Sequence, residues 1–123
     1  MRAARAAAEK NGIDILVLEV GDLTAVTDFF VIASGRTDRQ VRAIGEAVEE
    51  ALRAKDERPA RREGVQHNRW LLLDYIDVVV HVFTEEERAY YELERLWRDA
   101  PVVAWEPAAG HAEPQGRTAA NAD

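Results

Sequence analysis

The sequence predicts one α/β domain: a five-stranded mixed sheet with flanking helices, in the order α-β-β-α-β-β-β-α. Three observations carry this. Short apolar, β-branched runs at 13–20, 29–33, 70–73 and 77–83 have strand length rather than helix length and are bounded by Gly, Ser, Asn or Asp. Two longer segments each open on a Thr followed three residues later by Gln or Glu, then carry apolar residues at helical spacing. Finally, 123 residues suit a single domain. Its apolar residues include 21 Ala, so 37 larger side chains remain, enough for a small two-layer core but not for a second module.

The elements follow in order. Residues 2–10 are strong helix formers, stopped by Asn11-Gly12. Residues 13–20 form a buried strand ended by Gly21, residues 23–28 a connection, and 29–33 a second strand closed by Ser34-Gly35. Thr37 and Gln40 stand at capping-box spacing, and Val41, Ile44, Val48 and Leu52 then share one helical face that fades before Pro59. Residues 61–65 are a weak, polar strand, expected at an edge. Residues 70–73 and 77–83 are strong strands joined by the turn-length Asp74-Tyr75-Ile76. Thr84 and Glu87 open a last helix running to about Arg98, with Tyr90, Leu93 and Trp97 as its apolar stripe and Leu96 beside it; Pro101 ends it. The domain is thus expected over 1–103. Residues 104–123, with Pro107 and Pro114, read as a disordered tail in which Trp105 is the one large apolar anchor able to dock locally.

Charge and composition exclude several function classes. The absence of Cys removes a disulfide framework, a Cys zinc site and a thiol nucleophile. The N-terminus has no apolar signal core, and no run approaches the ~20 residues of a membrane helix, so a cytoplasmic location without membrane attachment is expected. The formal net charge of −7 disfavours direct sequence-specific or backbone-driven binding of nucleic acid. That charge is uneven: residues 53–69 are net positive, while residues 74–99 hold eight acidic and three basic side chains. Such a half is either a solvated face or a surface for a basic protein partner.

Catalytic readings are thin. Ser34 is the only Ser, and the segment around it lacks the Gly two positions earlier that a nucleophile elbow requires. His81 lies inside a strand, sharing a face with Val79 and Phe83; it can be a hydrogen-bonded structural residue, part of a partner surface or a catalytic group. His67 and His111 stand in polar segments without ligand spacing, so neither a metal nor a cofactor is expected. Asp74 and Asp77 could hold Mg²⁺ for a nucleotidyltransferase-like reaction, but Asp is also what a turn favours. The aromatic content is more suggestive. Trp70, Tyr75, Phe83, Tyr90, Tyr91 and Trp97 crowd into 28 residues, and adjacent Tyr90 and Tyr91 cannot both face a core. They are core, or part of a protein-binding hot spot.

Four ordered blocks give a more specific pointer: Asp28-Phe29-Phe30-Val31-Ile32-Ala33-Ser34-Gly35 with Asp38-Arg39-Gln40-Val41; Trp70-Leu71-Leu72-Leu73-Asp74-Tyr75; Asp77-Val78-Val79-Val80-His81-Val82-Phe83; and Tyr91-Glu92-Leu93-Glu94-Arg95-Leu96-Trp97. With them the chain, from about Asp14 to Pro101, resembles the ribosomal silencing factors, or Iojap family. Ile76 stands where that pattern has Gly, and Tyr90 where it has Phe. The resemblance implies a nucleotidyltransferase-like fold without enzymatic activity. It also implies a homodimer when free. The implied partner is the large ribosomal subunit, bound through its fourteenth large-subunit protein on the subunit-facing side. Bound there, the protein would block joining of the small subunit and repress translation under nutrient limitation. The partner-binding role carries onto Trp70, Leu72, Asp74, Tyr75, Asp77, His81, Phe83, Tyr91, Glu94 and Trp97. Alternation puts Trp70 with Leu72, and His81 with Phe83, on one expected face of the sheet, and Asp74, Asp77 and Glu94 are expected to pair with Lys or Arg of the partner.

Overall fold

The computed structural model describes residues 1–106; of the tail expected at 104–123, residues 107–123 lie outside the described residues. The elements are α1 (Arg2–Glu9), β1 (Ile13–Glu19), β2 (Phe29–Gly35), α2 (Asp38–Arg53), β3 (Arg61–Glu63), β4 (Trp70–Asp74), β5 (Val78–Thr84), α3 (Glu85–Tyr91) and α4 (Leu93–Leu96). The strands form one sheet in the order β1-β2-β5-β4-β3. Only β2 and β5 run parallel; the other three pairings are antiparallel, so the sheet is mixed.

Each face of the sheet has its own core. On the first face, α1 and α2 cover Val17, Val31, Ala33, Leu71, Leu73, Val80 and Val82. The helical spacing read from Val41, Ile44, Val48 and Leu52 is what lays α2 there, and all four are buried. The α2 cap forms with a variation. Thr37 Oγ1 accepts from the Gln40 N–H (3.1 Å), while Gln40 Oε1 reaches past the cap to accept from the Arg36 N–H (2.7 Å). Gln40 Nε2 donates to the Lys10 and Asn11 carbonyls, fastening the end of α1 to the start of α2.

The second face is covered more sparingly. Leu18, Val20, Phe30, Ile32, Val79 and Phe83 pack there against Leu93 and Ala100. The helix expected from Thr84 to Arg98 is in fact two short ones. Thr84 Oγ1 caps α3 by accepting from the Glu87 N–H (3.2 Å), but at Glu92 the backbone turns left-handed (φ 49°) and the chain restarts as α4. A straight helix would carry Tyr90, Leu93 and Trp97 as one buried stripe. The break buries Leu93 alone and leaves Tyr90 and Leu96 more than three-quarters exposed, correcting the expected stripe.

Residues 102–105 run along β1. Val102 bridges Leu18, the Val103 N–H donates to the Val17 carbonyl (2.8 Å), and the Trp105 indole N–H donates to the Ile15 carbonyl (3.3 Å). This strap covers the outer edge of β1, an edge that would otherwise offer unpaired backbone groups. At the opposite edge, β3 is short and charged, with all three of its residues exposed, as expected of an edge strand.

Among the described residues, the β4–β5 turn holds the one β-branched residue with positive φ, Ile76 (φ 74°), which is 60% exposed. Asp74 Oδ1 accepts the Ile76 N–H (2.9 Å), and the Asp77 N–H closes onto the Tyr75 carbonyl (2.9 Å). A left-handed β-branched residue is strained by ~1–3 kcal/mol, more than the ~0.5–1 kcal/mol of extra unfolded-state entropy of Gly. Ile76→Gly is therefore expected to raise stability by up to ~1 kcal/mol, seen as a Tm a few degrees higher in thermal denaturation. A lower Tm would show that this turn is not strained.

Candidate functional site

The sparse cover on the second face leaves part of β4 open. Trp70 and Leu72 project there, beside Phe83 and His81 of β5, because the register pairs Trp70 with Phe83 and Leu72 with His81. The shared face expected for both pairs is therefore present. Tyr91, at the end of α3, packs on Trp70 with ring centroids 4.8 Å apart. Trp97 sets its edge against Phe30 at 5.0 Å. Trp70, Leu72 and Trp97 are half-buried and Tyr91 is 46% exposed, so together they form an accessible aromatic strip. Tyr90 and Leu96 add exposed apolar surface on the same two helices. Gly64, just after β3, lets the chain come close to the β4 backbone at Trp70: it has φ +80°, and a Cβ there would overlap the Trp70 carbonyl.

Beneath the strip, the Trp70 indole N–H donates to His81 Nδ1 (3.1 Å). An accepting Nδ1 in a neutral imidazole puts the proton on Nε2. That Nε2 is buried and, among the described residues, without a partner. His81 also meets the edge of Phe30 (4.9 Å) and lies parallel to Phe83 (6.2 Å), so burial pushes its pKa down to about 4 and keeps it neutral at pH 7.

Four expected site residues are placed differently. Phe83 is fully buried and His81 is 5% exposed, so neither offers a contact surface; both lie under Trp70 instead. Tyr75 packs into the core on the α2 face, away from Trp70 and Leu72, with burial and the Glu49 carboxylate pushing its hydroxyl up to about 12. Glu94 is engaged internally: Arg88 Nε donates to Glu94 Oε2 (3.0 Å), while Glu94 Oε1 is buried without a partner. Asp74 stands on the strip's face but is shared between the turn and Arg61 (3.6 Å). Asp77 is exposed and carries no ion pair among the described residues.

Arg88 is the residue that sequence reasoning missed. Its side chain is only 11% exposed. Besides Glu94 it donates through Nη1 to Ser34 Oγ (2.8 Å) and to the Ile13 carbonyl (3.3 Å) at the bulge in β1. It therefore ties α3, α4, β2 and β1 together under the helix break. Within an acidic helix it reads as one more surface charge, and no local spacing marks it otherwise. Beside it opens a cleft of about 510 Å³, whose lining includes Asp14, Ser34, Glu85, Arg88, Glu92 and Glu94. Two of its four acidic side chains, Glu92 and Glu94, are already paired with Arg95 and Arg88. Among the described residues no cluster of three His, Asp or Glu side chains could hold a metal ion, and no helix is long and apolar enough to cross a membrane.

Comparison with known proteins places this geometry. The family model described as ribosomal silencing factor during starvation matches residues 1–123. The chain belongs to the ribosomal silencing factor family. The ribosomal silencing factor of Bacillus subtilis is 42% identical over 101 residues, 82% of this chain and 86% of the relative. A chloroplastic Iojap protein of Zea mays is 36% identical over 100 residues, 81% of this chain and 43% of the longer plant protein. Among solved structures, a Chromobacterium violaceum protein superposes with a TM-score of 0.77 at 33% identity, covering 92% of each chain. A Bacillus halodurans protein gives 0.74 at 37% identity over 84% of this chain and 93% of its own. The mixed five-stranded sheet with flanking helices is thus the fold of silencing-factor-family proteins, and the aromatic strip lies on β4 and the two short helices of that fold.

Proposed function

We propose that this protein is a non-catalytic anti-association factor, a cytoplasmic repressor of translation under nutrient limitation. It binds the large ribosomal subunit through the fourteenth large-subunit protein on the subunit-facing side, and its bulk there keeps the small subunit from joining. The observation that carries this reading is the open aromatic strip of Trp70, Leu72, Tyr91 and Trp97 on an otherwise packed sheet face, with acidic Asp74 and Asp77 at one end. Half-exposed aromatic anchors rimmed by charge are what a protein interface uses. The acidic rim suits a basic ribosomal protein, and a steric blocker needs affinity and volume rather than a reaction centre. The same strip would serve a homodimer when the protein is free of ribosomes. A metal-dependent nucleotidyltransfer at Asp74 and Asp77 is not favoured, because the Asp74 carboxylate already serves the turn and Arg61.

The test is co-sedimentation with purified large subunits, followed by light scattering as small subunits are added. The protein is expected to pellet with large subunits and to lower the yield of joined ribosomes. Trp70→Ala is expected to weaken binding ~30-fold or more, the effect of losing an anchor worth ~2 kcal/mol. Asp77→Lys tests the charge, since Asp77 has no internal ion pair to break; reversal at Glu94 would also undo the Arg88 contact. Wild-type binding by both variants would overturn the strip as the docking surface.

A further inference from the structure

Trp70 is half-exposed on the strip, yet its indole is not free to turn. It packs on both Phe83 and Tyr91, each with ring centroids 4.8 Å away, and its N–H is held by His81 Nδ1 at 3.1 Å. Stacking alone leaves an indole two flipped orientations that differ in where the N–H points. A single acceptor at a fixed place on β5 selects one of them. His81 can serve as that acceptor because it is itself fixed, buried at 5% exposure on the strand next to β4 and wedged against Phe30. The arrangement is poor for stability. Accepting on Nδ1 forces the proton onto Nε2, which is buried and has no partner. An apolar side chain at 81 would avoid that orphaned donor.

We propose that His81 is a positioning residue for the docking surface: through Nδ1 it fixes the orientation in which Trp70 presents its indole to the partner. The inference rests on the reading of the strip as the ribosome-facing surface. His81 does not itself touch the partner; it acts through Trp70. Preorganisation of this kind raises affinity by removing an ordering cost at binding.

The full chain is tested for binding to purified large ribosomal subunits as wild type, His81→Leu, His81→Asn, Trp70→Phe, Trp70→Ala and the double variant Trp70→Phe/His81→Leu. His81→Leu removes the acceptor at similar volume. His81→Asn keeps one, since its Oδ1 stands on Cγ as Nδ1 does. The expected result is a loss of about tenfold in affinity for His81→Leu, largely restored in His81→Asn. In the Trp70→Phe background, which has no N–H to hold, His81→Leu is expected to cause no further loss. The Trp70 indole ¹H–¹⁵N resonance is expected to shift in His81→Leu and to stay near its wild-type position in His81→Asn, while the thermal midpoint does not fall. Equal losses in the Trp70 and Trp70→Phe backgrounds would overturn the proposal, as would wild-type affinity in His81→Leu when Trp70→Ala fails to bind. Normal binding by Trp70→Ala would instead overturn the strip as the docking surface, and this inference with it.

Discussion

Arg88→Met is expected to destabilise the protein by about 2–3 kcal/mol, the largest loss from any single charged side chain. Met keeps most of the apolar stem, so what is lost is the guanidinium. Three acceptors lose their donor at once: Glu94 Oε2, Ser34 Oγ and the Ile13 carbonyl. Ser34 is 2% exposed and cannot turn to water. Glu94 keeps about a third of its side-chain exposure, which lets water recover part of the loss and holds the figure below the ~3–5 kcal/mol of a fully buried broken pair. Urea denaturation measures the change. The double variant Arg88→Met/Glu94→Leu is expected to lose less than Arg88→Met alone, because the stranded carboxylate is gone. A loss under ~0.5 kcal/mol for Arg88→Met would mean that the helix break is held by Leu93 and the left-handed Glu92 alone. Subunit binding should fall with stability here, since Tyr91 and Trp97 are carried by the two helices that Arg88 ties down.

The two faces of the sheet explain why part of the site could be read from sequence and part could not. Strand parity is local, with a period of two, so it placed Trp70 with Leu72 and His81 with Phe83 without any knowledge of the fold. Depth is not local. Whether Phe83 or Trp70 meets solvent depends on how far the last helix reaches across β4, and that is set by a left-handed Glu92 where neither Gly nor Pro marks a stop. The same break turned the expected stripe of Tyr90, Leu93 and Trp97 into one buried, one half-buried and one outward side chain: Leu93, Trp97 and Tyr90. Tyr75 went astray for another reason. It has the parity of Leu71 and Leu73 and falls with them on the α2 face, opposite Trp70 and Leu72, so alternation itself excludes it from the strip. The α2 face, by contrast, followed its periodicity throughout, because a sixteen-residue helix with five buried positions along one face has one solution.

Acid should unfold this protein earlier than its carboxylates alone would dictate, and His81 is the reason. In the unfolded chain its pKa is near 6.5; in the fold, burial among Phe30, Phe83 and Trp70 lowers it to about 4. The folded state therefore holds fewer protons than the unfolded state between these values, and stability rises with pH there. Read downward, stability at pH 7 is progressively lost from about pH 6.5 to about pH 4, by a total of about 3 kcal/mol. Above pH 7 this group contributes no slope. Protonation would also place a hydrogen on Nδ1, opposing the Trp70 N–H, so the indole should be released together with the loss of stability. Urea titrations at pH 7 and pH 4.5 on wild type and His81→Leu isolate the effect, because the carboxylates titrate alike in both. The wild type is expected to lose most of that amount relative to the variant. Equal losses in the two proteins would mean that water reaches His81 Nε2, and the imidazole would then be a solvated group rather than the buried neutral acceptor that holds Trp70.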